Sequence, residues 1–183
     1  MKLFLKRITE NDLELIMNWR MLPEVTKYMY TDPNLTMEDQ IKWFKKISSD
    51  STTSYWLIVF EGKKVGVIYL YDIDHHNKRC FWGYYIADTS VRGKGLGRNL
   101  ECNMYDLVLD KMGFNKLCCE VLAFNKRVIE IHKHFGSEIE GVFRKHIYKS
   151  GSFHDVVRMA ILRDKWLNIR TNYEYEPIEI EVY

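Results

Sequence analysis

The stretch Val91-Arg92-Gly93-Lys94-Gly95-Leu96-Gly97-Arg98 lies between a run with strand character, Arg79 to Ile86, and a helically spaced segment, Leu96 to Met112. Glycines at 93, 95 and 97 place no Cβ between the backbone and an approaching ligand. The helix that follows offers unpaired N–H groups and the positive end of its dipole. Arg92, Lys94 and Arg98 add charge. In physical terms the stretch is a cradle for a phosphate or pyrophosphate. The Walker pattern G-x-x-x-x-G-K-[ST] is absent. The dinucleotide fingerprint G-x-G-x-x-G also fails, because the third glycine arrives one residue early. No acidic residue ends a second strand about 20 residues on. A plain glycine-rich turn before a helix is the remaining alternative.

Outward from this loop, the chain alternates strands and helices. Leu3 to Arg7 reads as a strand, and Thr9 caps a helix from Asn11 to Arg20 whose Leu13, Ile16 and Met17 share a face. Pro23 fits the first turn of a short helix reaching Met29, and Asp32-Pro33-Asn34 is a turn. Thr36 caps a helix from Met37 to Ile47, with Ile41, Phe44 and Ile47 at helical spacing. Tyr55 to Phe60, Val65 to Ile73 and Arg79 to Ile86 form an antiparallel meander. Gly113 ends the long helix, and Leu117 to Leu122 is a short apolar strand expected at the centre of the sheet. A helix from Asn125 to Phe135 ends at Gly136, and Glu138 to Tyr148 pairs with Phe153 to Leu162 as a hairpin. This order predicts a mixed α+β layer architecture, with a mostly antiparallel sheet of about seven strands. Residues 1–164 form the domain. Residues 165–183 are expected to be a C-terminal tail that is flexible, adds an extra strand, or pairs with another subunit of a homodimer.

Bulk properties exclude several classes. A chain of 183 residues defaults to one domain with a substantial core. A net charge of +2, without a run of about five like charges, argues against nucleic acid as a partner. The apolar stretch at Met1 to Lys6 is far too short for a signal peptide, and no segment approaches about 18 apolar residues. A cytoplasmic protein without a membrane partner is expected. Cys80, Cys102, Cys118 and Cys119 make no C-x-x-C pair and are expected to be reduced and buried, with no metal.

A second motif, Asn125-Lys126-Arg127-Val128-Ile129-Glu130-Ile131-His132-Lys133-His134-Phe135-Gly136, follows the glycine loop at a fixed place. Together the two resemble the GNAT acetyltransferase superfamily, over residues 3 to 163. The resemblance implies that acetyl-CoA lies in a V-shaped opening between Arg79–Ile86 and Leu117–Leu122. The backbone near Tyr85, Ile86 and Ala87 would pair with the pantetheine arm. The loop from Arg92 and Gly93 through the N–H groups of Lys94, Gly95, Leu96, Gly97 and Arg98 would hold the pyrophosphate. Asn125 would fix the pantetheine end, and Lys126 and Arg127 would approach the nucleotide phosphates. His132 stands where the family often has the tyrosine that protonates the departing thiolate, and a histidine can donate near neutral pH. A packing histidine is the other reading. Glu120 is an ionisable group on an apolar strand, placed either to take the ammonium proton through water or to pair with an arginine or lysine. His75 sits in a turn expected near the same end of the sheet, either touching substrate or solvated.

The stretches Met17 to Asp32 and Thr36 to Trp43 are similar to the pseudaminic acid pathway N-acetyltransferases, as are Gly141 to His146 and His154 to Met159. Those enzymes acetylate the 4-amine of a UDP-linked 4-amino-4,6-dideoxy sugar. Gln40 departs from that group, where a histidine is expected. A nucleotide sugar needs a cation for its diphosphate and flat surfaces for its rings; Arg20, Trp19, Tyr30 and Trp43 fit those needs. Two rivals stand beside this reading: a ribosomal-protein or polyamine acetyltransferase, with Glu24, Asp32, Glu38 and Asp39 as an acidic cleft, and a non-catalytic acyl-CoA sensor.

Overall fold

A computed structural model describes residues 2–181; Met1 lies outside the described residues, as do Val182 and Tyr183 of the segment 165–183. Eight strands form one sheet: β1 (Leu3–Arg7), β2 (Ser54–Phe60), β3 (Lys63–Asp74), β4 (Arg79–Ile86), β5 (Lys116–Leu122), β6 (Glu138–Lys149), β7 (Ser152–Leu162) and β8 (Glu179–Ile180). Their order is β6-β7-β5-β4-β3-β2-β1-β8. The β2–β3 hairpin turns on Glu61 and Gly62, and the β6–β7 hairpin on Ser150 and Gly151. All four have positive φ, as two-residue turns that match the strand twist require.

The helices are α1 (Leu13–Met21), α2 (Pro23–Thr26), α3 (Met37–Ser49), α4 (Leu96–Tyr105), α5 (Lys126–His134) and α6 (Arg163–Ile169). α1 and α3 cover one face of the sheet; Leu57, Val59 and Val67 face them with Leu13 and Ile16. α4 and α6 cover the other, where Trp56, Ile58 and Phe60 meet Leu100, Met104 and Trp166. Neighbouring residues of β2 are therefore buried on opposite faces, which is why the strand reads as an unbroken apolar run. Thr36 and Asp39 form the reciprocal cap of α3: Asp39 N–H donates to Thr36 Oγ1 at 3.3 Å, and Thr36 N–H to Asp39 Oδ2 at 2.9 Å. α4 continues as a π-helical segment, Asp106–Lys111, so the helical stretch ends near Met112 as expected. The four cysteines are free and buried.

The sheet has eight strands instead of about seven because the C-terminal segment joins it. It is the extra strand and not a loose tail: β8 pairs in parallel with β1 of the same chain. Before that, α6 buries Trp166 completely. The backbone in between is caught by two asparagines of α4. Asn99 Oδ1 accepts from Glu176 N–H at 2.9 Å, and Asn103 Oδ1 from Ile178 N–H at 3.0 Å. Side-chain amides thus satisfy a stretch whose own sequence is polar.

Candidate active site

β4 and β5 run parallel but pair only at Arg79–Lys116, Cys80–Leu117 and Phe81–Cys118. Beyond these residues they part, while β5 stays paired with β7 along its whole length. The parting opens a groove of about 500 Å³. Ala87 N–H donates to Val65 O at 2.8 Å, so its amide is spent within the sheet. By strand alternation the backbone groups of Tyr84 and Ile86 are the ones that face the opening. Of the expected trio Tyr85, Ile86 and Ala87, then, Ile86 offers its backbone to a ligand. Tyr84, which sequence reading passed over, joins it.

The glycine loop closes one end of the groove through Arg92, Gly93, Gly95, Leu96 and Gly97. Gly93 and Gly95 have φ of 78° and 74°, and Gly95 is the N-cap immediately before α4. Its carbonyl accepts from Asn99 N–H at 3.3 Å and Nδ2 at 3.0 Å, which fixes the loop on the helix. The side chains of Lys94 and Arg98 are not part of the lining. Arg98 instead donates to Glu174 O at 3.4 Å. On the opposite wall Asn125 and Arg127 line the groove, and Lys126 does not. A Cβ at Gly95 would find only Asn99 Nδ2, 3.9 Å away. Gly95→Val therefore acts through the left-handed backbone and the ligand's close approach, not through a clash inside the protein. Strain of this kind costs about 1–3 kcal/mol, so CoA affinity measured by calorimetry is expected to fall about tenfold or more. Unchanged affinity would reduce the loop to a turn.

Among the ionisable side chains of the groove, Glu120 and His132 are the two with the chemistry of proton transfer. Glu120 projects from β5 just past the point where β4 leaves it; Tyr30 O–H donates to its Oε2 at 2.8 Å, and Arg158 Nη1 to its Oε1 at 3.4 Å. Burial first, then the Glu120 carboxylate, raises the Tyr30 hydroxyl far above the ordinary range, so Tyr30 stays a donor. His132, on the last turn of α5, lines the opposite wall and is 4% exposed. Its Nδ1 lies 2.6 Å from Glu101 Oε1, and its ring is edge-on to Trp82 at 5.5 Å. Burial opposes the imidazolium, but the Glu101 carboxylate and Cys119 outweigh it and hold His132 well above 6.5. Sequence reading missed Glu101. The signal was present, because Glu101 shares a helical stripe with Met104, Tyr105 and Val108, all buried.

A second cavity of about 360 Å³ lies between α1, α3, the residue 29–35 loop and the sheet. Arg20, Gln40, Trp43, Tyr55, Tyr69 and Tyr85 line it, and Met29, Tyr69 and Tyr85 also line the groove, so the two share a wall. Arg20 Nη2 donates to Thr31 Oγ1 at 3.4 Å. Arg20 Nη1 and Gln40 Nε2 are buried without a partner among the described residues. The loop over this cavity is held from far away in sequence: Lys149 Nζ donates to Thr26 O at 2.6 Å, Met29 O at 2.9 Å and Asp32 Oδ1. Nothing local marked Lys149.

Not every expected substrate residue arrives here. Trp19 packs against the core under α1 and lines neither cavity. His75 sits at the opposite end of the sheet, edge-on to Phe114 at 5.4 Å. The β3–β4 turn precedes β4, whereas the groove opens at its far end. Eight residues of strand, roughly 25 Å, separate the two. The expected acidic cleft is dispersed. Asp39 is bound to Thr36, Asp32 to Lys149, and Glu38 to Lys42 at 2.7 Å. Glu24 lines the groove.

A sheet parted between two parallel strands, with a glycine loop opening a helix at its mouth, defines an acyl-CoA-binding transferase fold. The family model "Acetyltransferase (GNAT) domain" matches residues 2–138, and the chain belongs to that family. It is an acetyl-CoA-dependent N-acetyltransferase. Acetyltransferase PseH of Campylobacter jejuni is 27% identical over 132 residues, covering 70% of this chain and 80% of the relative. Spermidine N(1)-acetyltransferase of Escherichia coli is 22% identical over 163 residues, covering 89% of this chain and 87% of its own. In fold, the spermidine N-acetyltransferase of Vibrio cholerae, solved with CoA and spermine, superposes with a TM-score of 0.84. It is 21% identical, covering 91% of this chain and 99% of its own. Among the described residues, no helix is long and apolar enough to cross a membrane, and no group of three His, Cys, Asp or Glu is arranged to hold a metal ion.

Proposed function

We propose that this enzyme acetylates the 4-amine of a UDP-linked 4-amino-4,6-dideoxy sugar, as in the pseudaminic acid pathway. The observation that carries the reading is the aromatic cavity beside the groove, where the buried donors Arg20 Nη1 and Gln40 Nε2 lack partners. Unpaired buried donors are costly and ask for acceptor oxygens. A nucleotide sugar is rich in them, and its rings suit Trp43 and Tyr55. A polyamine's ammonium groups bring only donors. The Asp39 carboxylate that would meet it at this cavity already accepts from Thr36 N–H and Oγ1. The likeness to PseH supports the same reading, while the likeness to the spermidine enzymes keeps the polyamine as the second one.

In this proposal the adenosine diphosphate rests on the 93–98 loop, and the pantetheine runs along Tyr84 and Ile86 toward Asn125. The neutral amine attacks the thioester carbonyl carbon; a C–N bond forms and the C–S bond breaks. Glu120 takes the proton the amine sheds, directly or through water, and His132 gives a proton to the leaving sulfur. Incubation with acetyl-CoA and a UDP-4-amino-6-deoxy sugar is expected to release free thiol. Release with spermine or a protein N-terminus, and none with the sugar, would overturn the acceptor; no release with any of these amines would favour the sensor.

A further inference from the structure

We propose that Glu101 is the positioning residue of this site, holding His132 protonated on Nδ1 and turned so that Nε2 is the ring nitrogen available to the groove. The proposal rests on His132 being the acid of the reaction. Glu101 lies on α4, 0% exposed, with one oxygen doing all the work. Its Oε1 is 2.6 Å from His132 Nδ1 and also accepts from Tyr105 O–H at 2.6 Å. A carboxylate accepts only, so Nδ1 carries the proton. Tyr105 is held in turn by Ser137, whose Oγ is 2.9 Å from its hydroxyl oxygen. With Tyr105 O–H given to Glu101, Ser137 is the donor.

The groups packed around the imidazole come from four elements. They are Glu101 of α4, Cys119 of β5, whose thiol is within hydrogen-bonding reach of the ring, the Trp82 ring of β4, and α5 itself. Among these neighbours Glu101 is the one carboxylate. Packing alone does not account for it. Glu101 Oε2 is buried with no partner among the described residues, a cost that a leucine on the same helical stripe would not incur. A buried charge kept at such a cost, against a histidine in the wall of the groove, fits a group that orients and charges its neighbour.

The sign of the pH effect follows from the chemistry. A general acid works while protonated, so activity falls as pH rises through the His132 titration. Without the carboxylate, burial is opposed by Cys119 only, and the titration moves down. The test is ring-proton NMR of His132 across pH in the wild type and in Glu101→Gln, with the pH profile of kcat on whichever acceptor is active. The expected result is a wild-type titration above 6.5 that drops in Glu101→Gln. The alkaline limb of kcat should move the same way, and KM for acetyl-CoA should stay unchanged. A limb displaced by one pH unit lowers the protonated fraction at fixed alkaline pH about tenfold. A wild-type ring titrating at or below 6.5 would overturn the proposal even if Glu101→Gln does not fold. A folded Glu101→Gln with unmoved titration would also overturn it. The titration needs no acceptor, so it stands apart from the sugar assignment. A ring that titrates as expected beside a kcat profile that ignores it would sink His132 as the acid and leave the pairing intact.

Discussion

Trp166→Ala lowers the unfolding free energy by about 3–5 kcal/mol, the usual cost of emptying a large aromatic site in a core. For a chain of this size that is a fall of roughly 10 °C in melting temperature. Trp166 is 0% exposed. Its ring meets Tyr105 edge-on at 5.1 Å and lies over Tyr173 at 5.9 Å, and its Nε1 donates to Asp106 Oδ1 at 2.9 Å. Truncation removes the contacts on both sides and one donor to Asp106, which keeps Tyr175 O–H at 2.6 Å and Arg170 Nη1 at 3.3 Å. The aromatic cluster joins the C-terminal segment to α4, so the loss reaches the Tyr105–Glu101 pair as well. Urea unfolding of the variant checks this. A change under about 1 kcal/mol would show that the segment only rests on the surface.

The parts of this molecule that announced themselves in sequence are those whose cause is local. β4 begins and ends where its apolar run does, at Arg79 and Ile86. The caps at Thr9 and Thr36 depend on a residue three places away. The glycine loop was legible because positive φ and close approach select one residue type. What escaped depends on partners distant in the chain. Asn99 and Asn103 read as ordinary polar residues of a helix, and only the fold brings residues 176 and 178 to them. Lys149 looks like a turn lysine until it meets the carbonyls of Thr26 and Met29. His75 was misplaced for a directional reason: the hairpin was read correctly, but which end of β4 opens depends on β5 running parallel to it.

Glu120→Gln, the change with the largest expected effect on rate, is predicted to lower kcat by about 10²–10⁴, the usual contribution of a positioned proton acceptor. The substitution keeps the shape of the site. An amide oxygen still accepts from Tyr30 O–H, now 2.8 Å from Glu120 Oε2, but an amide cannot take up a proton at neutral pH. KM for acetyl-CoA is expected to hold, since the glycine loop and the Tyr84–Ile86 edge are untouched. The pH dependence separates a base from a mere partner of Arg158, which lies 3.4 Å from the other carboxylate oxygen. If Glu120 removes the proton that makes the acceptor an ammonium, raising the pH toward the amine's own range does that work instead. The deficit of the variant should then shrink as pH rises. If Glu120 serves only to hold Arg158, the ratio of variant to wild-type rates stays flat across pH while the melting temperature drops. A flat ratio would remove Glu120 from the proton path and leave the amine to reach the groove already neutral.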